Sequence, residues 1–326
     1  MEFFKTHIEN NDAKVLIAFS GGKDSIAMYL YVRFVLNIPN SKIELHHHEV
    51  DGHGENFFDW PCTTSYCTAF AQAFDVPIFY SYRAGGIKRE MLRNNETLQS
   101  VFYQLNPGGP FTEIKSLDKQ EYKTTREMFP AVSADLRTRW CSVIAKIDVL
   151  SRVITNNPNY KTGNYVLCTG ERREESPTRS KYKEVEPYRA STKKRDVILW
   201  RPIIDWPEKQ VWEIIQKHNV QPHPAYVLGW SRCSCMTCIF NSSNTWASLN
   251  HIHPKRINQI ASLEEQINHT LYKGETIHNK TQKGKSFIDI GDYWISQALG
   301  TFTAPIIVSN WVLPQGAKSK EVAGAN

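Results

Sequence analysis

Two stretches hold the residues that could do chemistry: Ser20-Gly21-Gly22-Lys23-Asp24-Ser25, and the thiol run Cys233-x-Cys235-x-x-Cys238. In the first, two glycines let a backbone approach an anion closely, two serines add hydroxyl donors and Lys23 adds charge. Asp24 is the odd member, because a carboxylate repels phosphate unless it holds Mg²⁺ or orients the loop. In the second, three thiols lie within six residues, and Cys141 in "LRTRWCSVIAK" could add a fourth from a helix. Four thiolates suit either a [4Fe–4S] cluster or a structural Zn²⁺, and the spacing does not separate the two.

The elements that must position these residues follow from periodicity. Lys14–Phe19 is apolar on both faces, as a buried parallel strand is, and Ile26–Leu36 has helical spacing, so Ser20–Ser25 joins a strand to a helix N-terminus, where an anion is favoured. The alternation continues: strand in "KIELHHHEV", helix over 57–74, strand in "VPIFYSY", helix over 138–154, strand in "NYVLCTG", strand over 197–203 and helix over 207–218. This predicts an α/β fold, a doubly wound parallel sheet of Rossmann-like kind. Residues 106–134, broken by "NPGGP", read as a surface excursion or lid. Residues 1–240 form the main domain in this reading and 241–326 a small helical extension, its last residues a frayed tail.

Composition sets limits. Hydrophobic residues at 41% and aromatics at 12% describe a folded globular chain, and a formal charge of +6 weakly favours anionic partners. "STKKR" at 191–195, with Trp140, Trp200 and Trp230, is compatible with nucleic acid, although tryptophans are more often core. The N-terminal "MEFFKTHIENNDAK" carries acids where a signal peptide needs bases, and no apolar run reaches about 18 residues, so a cytoplasmic protein with no membrane partner is expected. In a reducing compartment, clustered cysteines speak for metal or redox chemistry before disulfides. Cys168, Cys62 and Cys67 read as packing. The triplet His46–His48 cannot bind one ion from a regular strand, since neighbours point to opposite faces.

SGGKDS after an apolar strand resembles the PP-loop of the N-type ATP pyrophosphatases, within the adenine-nucleotide alpha-hydrolase-like fold. Members of that group cleave ATP between the α and β phosphates, so ATP and Mg²⁺ are implied, with Lys23 and Asp24 as the catalytic pair within the binding loop Ser20, Gly21, Gly22, Lys23, Asp24 and Ser25. "TGERREESPTR", Thr169 to Arg179, resembles the G-x-R-x-x-E-S-x-x-R element of the phosphoadenosine phosphosulfate (PAPS) reductase family. That likeness, with "DWP" at 59–61, implies nucleotide contacts from Gly170, Arg172 and Arg179, and contact to adenine at the end of the second strand, around His48. Sulfur-transferring relatives hold an iron–sulfur cluster on cysteines arranged like Cys141, Cys233, Cys235 and Cys238.

The resemblance is nearest to sulfur-transfer members such as the DNA phosphorothioation ATP pyrophosphatase. It implies adenylylation of an acceptor, with a sulfur donor such as a cysteine desulfurase and a nucleic acid among the candidate acceptors. PAPS or adenylylsulfate reductases usually carry a degenerate loop and a C-terminal E-C-G-x-H motif, neither of which is found here. The small subunit of ATP sulfurylase shares the loop, without an expected cysteine cluster.

Overall fold

The computed structural model describes residue 8 and residues 12–133, 135–233, 235–289 and 291–319. Eight strands form one sheet in the order β5-β4-β3-β2-β1-β6-β8-β7. They are β1 Lys14–Ala18, β2 Ile43–Glu49, β3 Ile78–Arg83, β4 Val101–Gln104, β5 Phe111–Ile114, β6 Gly163–Cys168, β7 Val185–Pro187 and β8 Arg195–Trp200. The central five, β3, β2, β1, β6 and β8, are parallel; β4, β5 and β7 add antiparallel edges. The direction of winding reverses between β1 and β6, and there the crevice at the carboxyl ends of the strands opens.

Side-chain alternation explains why β1 is apolar throughout. Val15 and Ile17 enter the larger hydrophobic cluster on one face, while Leu16 enters the smaller one on the other. The larger face is covered by α1 (Lys23–Leu30, continued by a π-helical turn Tyr31–Val35), α2 (Thr63–Ala73) and residues further along the chain. After α2 and β3 comes α3, Gly86–Met91. Helix α4 runs as Trp140–Ser142, a π-helical turn Val143–Ile147 and Asp148–Asn156, and its last part buries Val149, Leu150, Val153 and Ile154 in the smaller cluster.

After α5 (Glu208–Lys217) and α6 (Pro224–Val227) come α7 (Ser243–Ile252), α8 (Pro254–Gln266), α9 (Ile277–Gln282), α10 (Asp292–Leu299) and α11 (Gln315–Lys318). Trp246, Leu249, Ile257, Ile260 and Phe302 share the larger cluster with the sheet. Arg256 donates to the carbonyls of Asn56 and Phe57, and Trp311 Nε1 donates to the Val220 carbonyl at 2.8 Å. The C-terminal helices therefore fold onto the same core as the sheet.

Several expectations are corrected. The helix expected from 57 begins at Thr63, because the backbone N–H groups of Phe57, Phe58 and Asp59 turn to donate to the Asp51 carboxylate. Residues 106–134 are not one long excursion: β5 lies within them, and Thr124 pairs with Glu96. Arg126 and Arg93 meet on the buried Glu90, which pins this stretch to the body. Trp140, Trp200 and Trp230 are buried, and Arg195 donates inward to the carbonyls of Ala190, Ile154 and Tyr160, so these four are spent on packing. Part of the expected tail, and residues 134, 234 and 290, lie outside the described residues.

Candidate functional site

Ser20–Ser25 leaves β1 at the point of reversal, and Gly21 adopts a left-handed φ of 73°, open to glycine at little cost. Neither loop glycine has room to spare. A Cβ on Gly21 would stand 3.0 Å from Cys67 Sγ, and one on Gly22 would stand 3.0 Å from Cys233 Sγ and 3.3 Å from Ser20 Oγ. The Ser25 hydroxyl donates to the Gly22 carbonyl at 2.9 Å and accepts from Ser20 N–H at 3.3 Å, bracing the turn from inside.

The charged pair of the loop is engaged. Lys23 is buried, its backbone N–H donating to the Tyr226 hydroxyl at 3.1 Å and its ammonium lying 3.2 Å from Asp24 and 3.6 Å from Glu208. Asp24 gives its other oxygen to Arg172 Nε at 2.7 Å. Burial alone would raise the Asp24 pKa, but Lys23 and Arg172 hold it below the usual carboxylate value. Of the two roles open to Asp24, orienting the loop is the one its hydrogen bonds perform.

Arg172 thus joins the two motifs. It is buried, and it also donates to Glu174 at 2.6 Å and to the Trp206 carbonyl at 3.2 Å. Its backbone N–H is held by Glu175 at 2.8 Å, and Glu175 pairs with Arg179. Gly170 packs against Asp24, where an added Cβ would lie 3.4 Å from the Asp24 carbonyl carbon. So the loop, Gly170, Arg172 and, through Glu175, Arg179 form one connected assembly across the β1/β6 crevice.

The histidines alternate faces as strand geometry requires. His46 stacks on Phe79; His47 Nδ1 lies 3.0 Å from the Phe19 carbonyl, and His48 Nδ1 lies 2.7 Å from Ser81 Oγ. Nε2 of both His47 and His48 is buried without a partner. Burial, then the neighbouring His46, His47 and Lys146, hold His48 neutral, its pKa well below the ordinary value.

Just beyond β2, Glu49, Asp51, Asp59, Trp60 and Thr64 line a cavity of about 200 Å³. Burial, then Asp51, pushes Asp59 up to about 7.

The cysteines part into two groups. Cys233 is buried, in a hydrogen bond with the Tyr226 hydroxyl and in the field of Lys23 and Asp24; burial pushes it up to about 12. Cys62, Cys67 and Cys233 interact with one another beneath the loop. Cys141, Cys235 and Cys238 are instead half-buried and interact among themselves. Burial raises Cys141 and Cys235, while Lys146 opposes that rise. Burial works against the Lys146 charge in turn, but Cys235, Asp59, Cys141 and Cys238 hold its pKa above the ordinary value.

Among the described residues no three His, Cys, Asp or Glu side chains are grouped to hold one metal ion. A single tetrahedral Zn²⁺ with Zn–S bonds of about 2.3 Å needs a tighter thiol set than this one, whereas a cluster of several irons spans a wider one.

Sequence reasoning left out Tyr226, Glu208 and Lys146. Tyr226 reaches the loop across a separation of 203 residues, with no local signal to mark it. Glu208, in the first turn of α5, and Lys146, five residues after Cys141, look like ordinary helix-surface charges in sequence.

The phosphoadenosine phosphosulfate reductase domain matches residues 90–241, which include Arg172, Arg179 and all four candidate cysteine ligands but not the loop. An uncharacterized 37.8 kDa protein of Escherichia phage 186 is 26% identical over 175 residues, 52% of this chain and 51% of that one. An adenosine 5'-phosphosulfate reductase of Burkholderia cepacia is 31% identical over 106 residues, 32% of this chain and 38% of its own. That of Neisseria meningitidis serogroup B is 28% identical over 152 residues, 45% and 57% respectively. The chain spans about half the length of these curated relatives. Among solved structures, yeast FAD synthetase in complex with FAD aligns with a TM-score of 0.38 at 10% identity, covering 95% of this chain and 80% of that one.

Proposed function

The chain belongs, through residues 90–241, to the phosphoadenosine phosphosulfate reductase family, and from that premise we propose that it is an ATP pyrophosphatase that adenylylates an acceptor for sulfur transfer. The observation that carries the reading is the junction Lys23–Asp24–Arg172, which ties an intact SGGKDS turn to the G-x-R-x-x-E-S-x-x-R element at the crevice where such sheets bind nucleotides.

An acceptor oxygen attacks the α-phosphorus of ATP, the bond to the bridging oxygen breaks, and pyrophosphate leaves with the charge. Lys23 and the amides at the start of α1 lie where that charge collects, and Arg172 keeps them there by fixing Asp24. A sulfur nucleophile then displaces AMP from the activated acceptor, AMP taking the oxygen with it. Nucleic acids are the proposed acceptors, with a cysteine desulfurase as sulfur source.

Mg²⁺ would arrive on the phosphates, since the carboxylates nearest the loop, Asp24 and Glu208, are already engaged with Lys23 and Arg172. A [4Fe–4S] cluster fits the wider thiol set of Cys141, Cys235 and Cys238 and would supply a point of sulfur delivery beside the crevice.

The second reading is reduction of adenylylsulfate, favoured by the names of the Burkholderia and Neisseria relatives. Anaerobic ATP–pyrophosphate exchange, with tRNA, DNA and sulfate offered in parallel, decides between them. Exchange in one arm, abolished by Lys23→Ala, is expected. Sulfite release from adenylylsulfate and a thiol reductant, with no exchange in any arm, overturns the proposal in favour of the second reading.

A further inference from the structure

We propose that the cysteine segment serves two separate roles, in which Cys141, Cys235 and Cys238 form a three-thiolate set for an iron–sulfur cluster and Cys233 is withheld from it to support the pyrophosphate loop. This rests on the nucleotide reading above only for the loop's ligand; the division itself rests on placement.

Cys233 is already engaged. Its sulfur lies against Gly22, close enough that an added Cβ there would stand at 3.0 Å, and it shares a hydrogen bond with the Tyr226 hydroxyl, which also accepts the Lys23 N–H. Cys67 occupies the equivalent position under Gly21. Two thiols therefore floor the two glycines, and turning Cys233 outward to a metal would remove the loop's support and leave the Tyr226 hydroxyl short of a partner.

The other three thiols have the opposite setting. They are half-buried, interact with one another, and come from two separate parts of the chain: α4 gives Cys141, and the turn in which Cys238 N–H donates to the Cys235 carbonyl at 3.2 Å gives the pair. Lys146 lies in the field of all three and Arg139 in that of Cys141, so cations are in place to offset thiolate charge.

Three thiolates are one short of the four that bind every iron of a [4Fe–4S] cluster through protein sulfur. The division therefore implies one iron without a cysteine ligand, next to Lys146 and Asp59 and on the loop's side of the segment.

Full-length protein, purified anaerobically and reconstituted with ferrous iron and sulfide, tests this without nucleotide. Iron and acid-labile sulfide per chain are measured together with visible absorption and electron paramagnetic resonance. Cys233→Ser and Cys233→Ala are expected to keep the wild-type iron and sulfide content and to weaken ATP binding several-fold. Cys141→Ser, Cys235→Ser and Cys238→Ser should each lose more than half of the iron, with melting curves of the metal-free proteins confirming that all variants fold.

Loss of iron from Cys233→Ser equal to that of the other three overturns the inference, as does a wild-type protein that takes up one zinc and no iron. Neither result touches pyrophosphate exchange, and absence of exchange leaves the iron counts to stand on their own.

Discussion

At the loop, opposite charges are already matched: Lys23 with Asp24 and Glu208, Asp24 with Arg172, Arg172 with Glu174, Arg179 with Glu175. At the cysteine segment, three like-natured thiols face one another, burial raises two of them, and Lys146 and Arg139 are the cations beside them. A cradle of paired charges keeps its geometry before any ligand enters, which is what stabilising a departing anion requires. A set of thiols becomes favourable only when deprotonated and bound, so its geometry and its ligand are coupled through pH.

The sharpest way to break this contrast is Lys23→Ala, expected to lower pyrophosphate release by about 100- to 1,000-fold while iron content is unchanged. Equal loss of both would show that loop and thiols form one unit. Next, Arg172→Ala leaves Asp24 with Lys23 alone and should cost about 2 kcal/mol in denaturant unfolding. Adding Asp24→Asn should recover part of that loss; strict additivity would show that the junction does not couple the two motifs.

Gly22→Ala places a methyl against Cys233 Sγ and should cost about 1 kcal/mol, less when Cys233→Ala is also present. No coupling between the two would mean the sulfur does not bear on the loop. The smallest effect concerns Asp59, whose folded pKa of about 7 exceeds its ordinary value of 3.8. Its contribution to stability is full below pH 4 and is lost as pH rises through 7, so Asp59→Asn should flatten the stability profile between those values. An unchanged profile would place the titration elsewhere.

The parallel strands and the loop were legible because their signals are local: β1 is apolar at every position because it is covered on both faces, and SGGKDS is contiguous. The edge strands were not, since β5 is a partly exposed Phe-Thr-Glu-Ile and β7 ends at a proline, both short of apolar alternation. In the site, Lys23, Asp24 and Arg172 could be singled out by motif, but their mutual engagement could not. The separation of Cys233 from Cys235 and Cys238 was also hidden: spacing shows that thiols are near in sequence, while the direction each takes depends on Gly22 and Tyr226, folded in from elsewhere.

The π-helical turn in α4 has a consequence of phase. Ile144 and Ala145 on one side of it belong to the larger hydrophobic cluster, whereas Val149, Leu150, Val153 and Ile154 on the other belong to the smaller one. Within the turn, Asp148 N–H reaches back five residues to the Val143 carbonyl, one more than an α-helix allows. Removing a single residue there would rotate Cys141 by about 100° against the stripe that anchors the helix. One residue of helical slack thus lets the same helix answer to two cores and still carry its thiol to the crevice.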